Sequence, residues 1–209
     1  MLSRKVMSGG APTDPYFKNV VLLLHGDGTN GGQNNTFIDG SSNNFTITRN
    51  GNTTQGSFNP YGTLWSNYFD GTGDYLTAPD NAAFQFGTGN FTVEAWIRLT
   101  TTVGEAYNSC LIVGNNAQGI TTNWILGVEV STRKLFFYAE IAAGGAVNPV
   151  STTAINFNQW YHVAVSRTGG TLRLFLNGVY FVDPVYEFSN SSVNFADGLK
   201  IVDFCLSLL

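Results

Sequence analysis

Charge is what this sequence has least of. Asp, Glu, Lys and Arg make up 11% of its 209 residues, less than half of the roughly 25% found in an ordinary soluble domain. The ten Lys and Arg are scattered without a run, and 14 Asp and Glu leave a formal net charge of -4. Binding to a phosphate backbone or an anionic lipid surface needs clustered cations, so nucleic acid and membrane are excluded as partners. Cysteine is confined to Cys110 and Cys205; a core of this size needs no staple, and both read as free thiols. Long apolar runs are missing too. The run at 20–24 is too short to span a bilayer, and residues 1–14 carry Arg4 and Lys5 without the apolar stretch of an export signal.

Catalytic constellations are equally scarce. The two histidines, His25 and His162, sit in no nucleophile motif; there is no G-x-S-x-G, and neither cysteine is spaced beside a base. Retaining glycosidases place two carboxylates about 5–5.5 Å apart, commonly on one strand face. Here Glu94, Glu129 and Glu140 each stand alone, which predicts a protein that is not an enzyme.

What remains is an uncharged polar surface over an aromatic core. Asn and Thr number 22 each and Gly 24, while 16 Phe, 9 Tyr and 4 Trp supply the bulk to fill an interior. Five Asn-x-Ser/Thr triplets, beginning at Asn34, Asn44, Asn52, Asn90 and Asn190, follow from this composition and, without an export signal, read as surface rather than glycan acceptors. No segment holds a helical apolar period. Short β-branched and aromatic runs at 20–24, 45–49, 68–69, 75–77, 91–99, 110–113, 124–130, 134–141, 160–167, 171–176 and 179–182 read as strands, separated by Gly, Asn, Asp and Pro. In the clearest, Phe91, Val93, Ala95, Ile97 and Leu99 share one face and Thr92, Glu94, Trp96 and Arg98 the other. Asn177-Gly178 is a type I′ hairpin signal, so 160–182 reads as a meander. The segments 51–61 and 143–153 read as surface loops. Residues 1–15 read as a flexible arm and 16–209 as one all-β domain, a two-sheet antiparallel jelly-roll sandwich.

Four segments in order carry a resemblance. Asn67-Tyr68-Phe69-Asp70-Gly71-Thr72-Gly73-Asp74-Tyr75-Leu76 resembles the "F-D-G-x-x-D-Y-L/V" segment of laminin-G-like jelly rolls of the concanavalin A-like lectin/glucanase superfamily. Phe91 to Ile97 is similar to its "F-T-V/I-E-A/x-W-I/V" strand, Trp160 to Arg167 to its "W-x-H-V/I-A-x-x-R" strand, and Leu174-Phe175-Leu176-Asn177-Gly178 to the following hairpin. The upstream run Val21-Leu22-Leu23-Leu24-His25-Gly26-Asp27-Gly28, followed by Phe37-Ile38-Asp39-Gly40-Ser41-Ser42-Asn43, is similar to the opening of versions in structural proteins of tailed bacteriophages, cyanophages especially. That resemblance implies a virion location: a capsid-decoration, tail-fibre or other tail-associated component whose partners are other virion subunits, a second copy of itself in a homo-oligomer, or host-surface glycans. The end departs from the pattern. Family members close with a returning "G-x-I-D-D-L/V-R-I" strand, whereas here Gly198-Leu199-Lys200-Ile201 leads into Val202-Asp203-Phe204-Cys205-Leu206-Ser207-Leu208-Leu209. The domain therefore reads as shortened at its C-terminus, with its last residues, a neighbouring chain or an altered reading frame accounting for the difference.

Two ligand classes follow from the resemblance. Jelly rolls of this kind often hold Ca²⁺ through Asp and Asn oxygens, and Asp27, Asp39 and Asn43 are the candidates; the same residue types in Gly-rich segments also form turns. Sandwich lectins stack sugar rings on exposed aromatics, and Trp96, Tyr107, Trp124 and Tyr138 are the candidates for that role. Each of them could equally fill the core.

Overall fold

The computed structural model describes residues 14–26, 36–56, 66–84, 86–100, 109–114, 124–141, 145–180, 186–187, 199–201 and 206–208. They form two antiparallel sheets packed face to face. Sheet I runs in the order β1 (Thr48–Asn50), β4 (Tyr75–Thr77), β15 (Lys200–Ile201), β6 (Ser109–Gly114), β7 (Trp124–Glu129), β8 (Lys134–Ile141) and β10 (Val150–Ala154), with β9 (Gly145–Val147) also on β8. Sheet II runs β13 (Val179–Tyr180), β12 (Thr171–Leu176), β11 (Trp160–Thr168), β5 (Phe91–Leu99), β16 (Leu206–Leu208), β3 (Ser66–Tyr68) and β2 (Thr54–Gly56), with β14 (Tyr186–Glu187) also on β12. Helix is limited to two single 3₁₀ turns among the described residues, and none is long and apolar enough to cross a membrane.

The expected two-sheet jelly-roll sandwich is what the chain forms, and strand alternation is the reason. On β5, Ile97 and Leu99 are wholly buried while Thr92 and Glu94 are exposed. Val163 and Val165 on β11 and Leu172 and Leu174 on β12 continue the inner face of sheet II; Leu126 and Val128 on β7 and Leu135 and Phe137 on β8 oppose them from sheet I. Interdigitation of these two faces makes one continuous core. A glycine allows one close approach: a Cβ on Gly127 of β7 would come within 2.9 Å of the Phe136 ring on β8. That ring lies over the bare backbone, and Phe136 is buried although it sits on the outer side of sheet I.

Several segments depart from the sequence reading. Residues 20–24 make a single bridge, Leu24 to Asp39, in place of a strand. The stretches read as loops contain β2, β9 and β10. β2 is a sheet edge of Thr, Gln and Gly, and β9 and β10 hold small or hydroxylic residues, so none displays the alternating apolar signal of a half-buried strand. At the other end of the chain, β15 lies between β4 and β6, and β16 lies between β5 and β3. Leu206–Leu208 thus occupy an interior position in sheet II.

Candidate functional site

Register fixes which side chains share the outer face of sheet II. Trp96 is opposite His162, Arg98 opposite Trp160, and Glu94 opposite Ala164, which is in turn opposite Phe175 and then Tyr180. On the other side, Arg98 is opposite Ser207 and Ser207 opposite Tyr68. Directly opposed residues project to one face. Since Ile97 and Tyr161 point inward, Trp96, Arg98, Trp160 and His162 point outward. The side-chain contacts agree: the Trp96 and His162 rings lie 5.4 Å apart at 56°, and Phe175 and Tyr180 lie 6.0 Å apart at 54°.

Polar groups are interleaved with these rings. His162 Nε2 is 3.5 Å from Glu94 Oε2, and an Arg98 guanidinium nitrogen donates to Asn158 Oδ1 at 3.0 Å. Tyr68 and Tyr180 are each 42% exposed, while Trp96, Trp160 and Phe175 are partly covered. Partial cover matters, because a ring held on its edges by neighbours loses little freedom when a ligand settles on its open face. The hairpin adds to that rigidity. Asn177 (φ 52°) and Gly178 (φ 75°) both take the left-handed turn, and Asn177 Oδ1 accepts from the backbone N–H of His162 at 2.9 Å.

Of the residues singled out from sequence, Trp96 lies on this face. Trp124 does not: it is 1% exposed, points inward from β7 and packs against Phe86 and Phe137 at 5.2 and 6.1 Å between ring centroids. It belongs to the core, which corrects its reading as an exposed platform. Tyr138 is half-buried on the outer side of sheet I, away from Trp96; burial first, then the charge and hydrogen bond of Glu140, hold its hydroxyl above the usual tyrosine range. Tyr107 lies outside the described residues. Tyr68, Trp160, Phe175, Tyr180 and the His162–Glu94 pair were missed, although counting outward from Trp96 through the paired strands would have reached the pair and Trp160.

The cation candidates form a different kind of centre. Asp39 is 3% exposed. Its Oδ1 accepts from the backbone N–H of Leu23 (3.0 Å) and Ser41 (2.9 Å), and its Oδ2 from the Phe45 N–H (2.9 Å) and the Ser41 hydroxyl (2.8 Å). Burial pushes its carboxyl up, but the three backbone donors and the hydroxyl together hold it below its ordinary value of 3.8. Asn43 stands nearby with Nδ2 donating to the Val21 carbonyl at 2.8 Å. Donors surround this carboxylate where Ca²⁺ would require oxygen acceptors, so Asp39 serves as a clasp tying 21–25 to 39–45. Asp27 lies outside the described residues, and among those described no group of three His, Cys, Asp or Glu could hold a metal ion.

Two similar clasps hold the family segments. Asp74, 1% exposed, accepts from the N–H of Asn52 (2.6 Å) and Asp70 (3.0 Å). Gly51, at φ 68°, lies so close that a Cβ would run into Asp74 and the Gly73 carbonyl. Arg167, 2% exposed, donates to the carbonyls of Gly87 (2.7 Å), Phe86 (3.3 Å) and Gly89 and lies 5.0 Å over the Phe91 ring. Burial lowers its pKa, and the carbonyl ring offsets part of that cost. Cys110 is buried in the core; Cys205 lies outside the described residues.

A two-sheet sandwich with an aromatic and amide outer face is a lectin-like fold. The family model of the concanavalin A-like lectin/glucanases superfamily, laminin-G type, matches residues 70–195, and the chain belongs to that family. No curated protein sequence matches it. Among solved structures it is similar to the binding domain of botulinum neurotoxin serotype D (TM-score 0.67, 14% identity, 92% of this chain and 46% of that one). It is similar also to the binding domains of botulinum neurotoxin serotype G (0.63, 10%, 90% and 45%) and of Paraclostridial Mosquitocidal Protein 1 (0.61, 13%, 91% and 49%). The chain spans a little under half the length of these structures, and the likeness is one of fold.

Proposed function

We propose that this chain is a non-catalytic carbohydrate-binding module and that the outer face of sheet II is its ligand surface. The observation that carries the reading is the Trp96–His162–Glu94 cluster, flanked by Trp160, Arg98 and Asn158. Sugars present apolar C–H faces and hydroxyl edges; ring faces receive the first, and a carboxylate, an imidazole and a guanidinium receive the second. Catalysis has no comparable support. Glu94 projects from sheet II while Glu129 and Glu140 belong to sheet I, where they engage Thr132 and Tyr138.

The setting we propose is a virus particle, on the strength of the resemblance of residues 21–43 to tailed-phage structural proteins. There the module would face host-surface glycans, and contacts with other virion subunits or a second copy would fall to other surfaces. Mass spectrometry of purified particles checks the location. For the binding face, a glycan array is probed with the wild-type chain, Trp96→Ala and the surface variant Tyr68→Ala, with thermal unfolding recorded in parallel. Binding that drops at least tenfold in Trp96→Ala, about the loss of a central aromatic anchor, with a cooperative melt retained, supports the reading. Glycan binding indifferent to both substitutions contradicts it.

A further inference from the structure

The aromatic side chains on the outer face of sheet II are spread out rather than gathered into a pocket. Tyr68 lies on β3 in the same cross-strand row as Arg98 and Trp160; Trp96 and His162 are two residues along; Phe175 and Tyr180 are two further. From Tyr68 to Tyr180 the sequence of strands is β3, β16, β5, β11, β12 and β13. At about 4.8 Å per strand step and about 3.3 Å per residue, the line runs diagonally over roughly 25–30 Å. Its two ends are the most exposed rings, each at 42%.

Charge along the line is sparse. Glu94 stands against His162, Arg98 donates to the neutral amide of Asn158, and Arg173 lies one row beyond Phe175 on the same face. Among the described residues no cluster of cations faces the middle of the track, and the chain as a whole carries -4. A uronic, sialylated or sulfated chain would find no array of countercharge, whereas a neutral polyol can hydrogen-bond to each of these groups.

Resting on the carbohydrate-binding reading, we infer that the ligand is an extended, neutral glycan chain of several sugar units, laid obliquely across the strands and held through internal units. A terminal sugar or a single residue would leave Tyr68 and Tyr180 without a role. Each platform adds its own contact, so affinity grows with chain length until the track is filled.

Calorimetric titration of the full chain with neutral cello-, chito- and manno-oligosaccharides from mono- to hexasaccharide, beside an acidic galacturonan hexasaccharide, tests this. The expected result is a neutral hexasaccharide bound about 50-fold or more tighter than its disaccharide. Tyr68→Ala and Tyr180→Ala should each weaken the hexasaccharide about fivefold, the scale of one ring contact, and leave the disaccharide unchanged. Equal affinity for di- and hexasaccharide, with both variants silent, overturns the extended chain while leaving carbohydrate binding intact. Preference for the acidic ligand overturns neutrality. Absence of binding to every ladder overturns the carbohydrate reading and this inference with it.

Discussion

Single side chains decide whether the segments of this fold meet. The Asp39 carboxylate is the plainest case, because each oxygen accepts two hydrogen bonds. In Asp39→Asn one oxygen becomes NH₂, and either orientation turns that group toward a backbone N–H. The expected cost is about 3 kcal/mol, read as a lower urea midpoint at pH 7. The pH dependence has a definite sign. A carboxyl held below 3.8 in the folded chain binds its proton more weakly there than when unfolded. Its stabilisation is therefore present above the ordinary carboxylate value and is lost as pH falls below about 4 toward the folded value. Wild type and Asp39→Asn should converge in stability across that acid window; a gap that stays constant down to pH 2.5 would contradict the clasp.

Strands show what was legible beforehand and what was not. β4, β5, β8 and β12 have the boundaries that their β-branched and aromatic runs predict, because each packs an apolar face on the core. β2, β9 and β10 were hidden since hydrogen bonding to a neighbour, rather than burial of large side chains, defines them. Trp124 failed for a related reason: periodicity separates two faces of a strand but does not say which face is inner. The same ambiguity hid the row of aromatic side chains on the outer face of sheet II. Trp96 was visible as the aromatic member of a polar face, yet Tyr68, Trp160 and Tyr180 join it only through strand pairings such as Arg98–Trp160 and Tyr68–Ser207, which are distant in sequence. Asp39 illustrates a further limit. A carboxylate in a Gly-rich turn reads alike whether it accepts N–H groups or ligates a cation, and its partners, Leu23 above all, decide. The returning strand of the family pattern was not legible in 202–209 either, although β16 lies between β5 and β3. Removing residues 202–209 should leave both neighbours with open edges and abolish the cooperative thermal transition, with aggregation seen in light scattering. A truncated chain that melts cooperatively as a monomer would show that β16 is dispensable.

At the scale of the whole molecule, the sandwich separates two tasks. Its interior and the clasps built on Asp39, Asp74 and Arg167 hold two sheets in register, and one outer face is left to carry rings and hydrogen-bonding groups on rigid strands. Superfolds host many activities, and what such a domain binds is set by the groups on its surface rather than by its family. Three tryptophans on known sides of the sheets give a direct reading: Trp96 and Trp160 point outward and Trp124 inward. The measurement is the ¹H–¹⁵N spectrum of the indole N–H groups, with the Trp96, Trp124 and Trp160 signals assigned by substitution, during titration with the tightest-binding glycan. The account predicts dose-dependent shifts of the Trp96 and Trp160 indoles with Trp124 unmoved. Saturable binding that leaves Trp96 and Trp160 unchanged would contradict it and move the ligand to another surface.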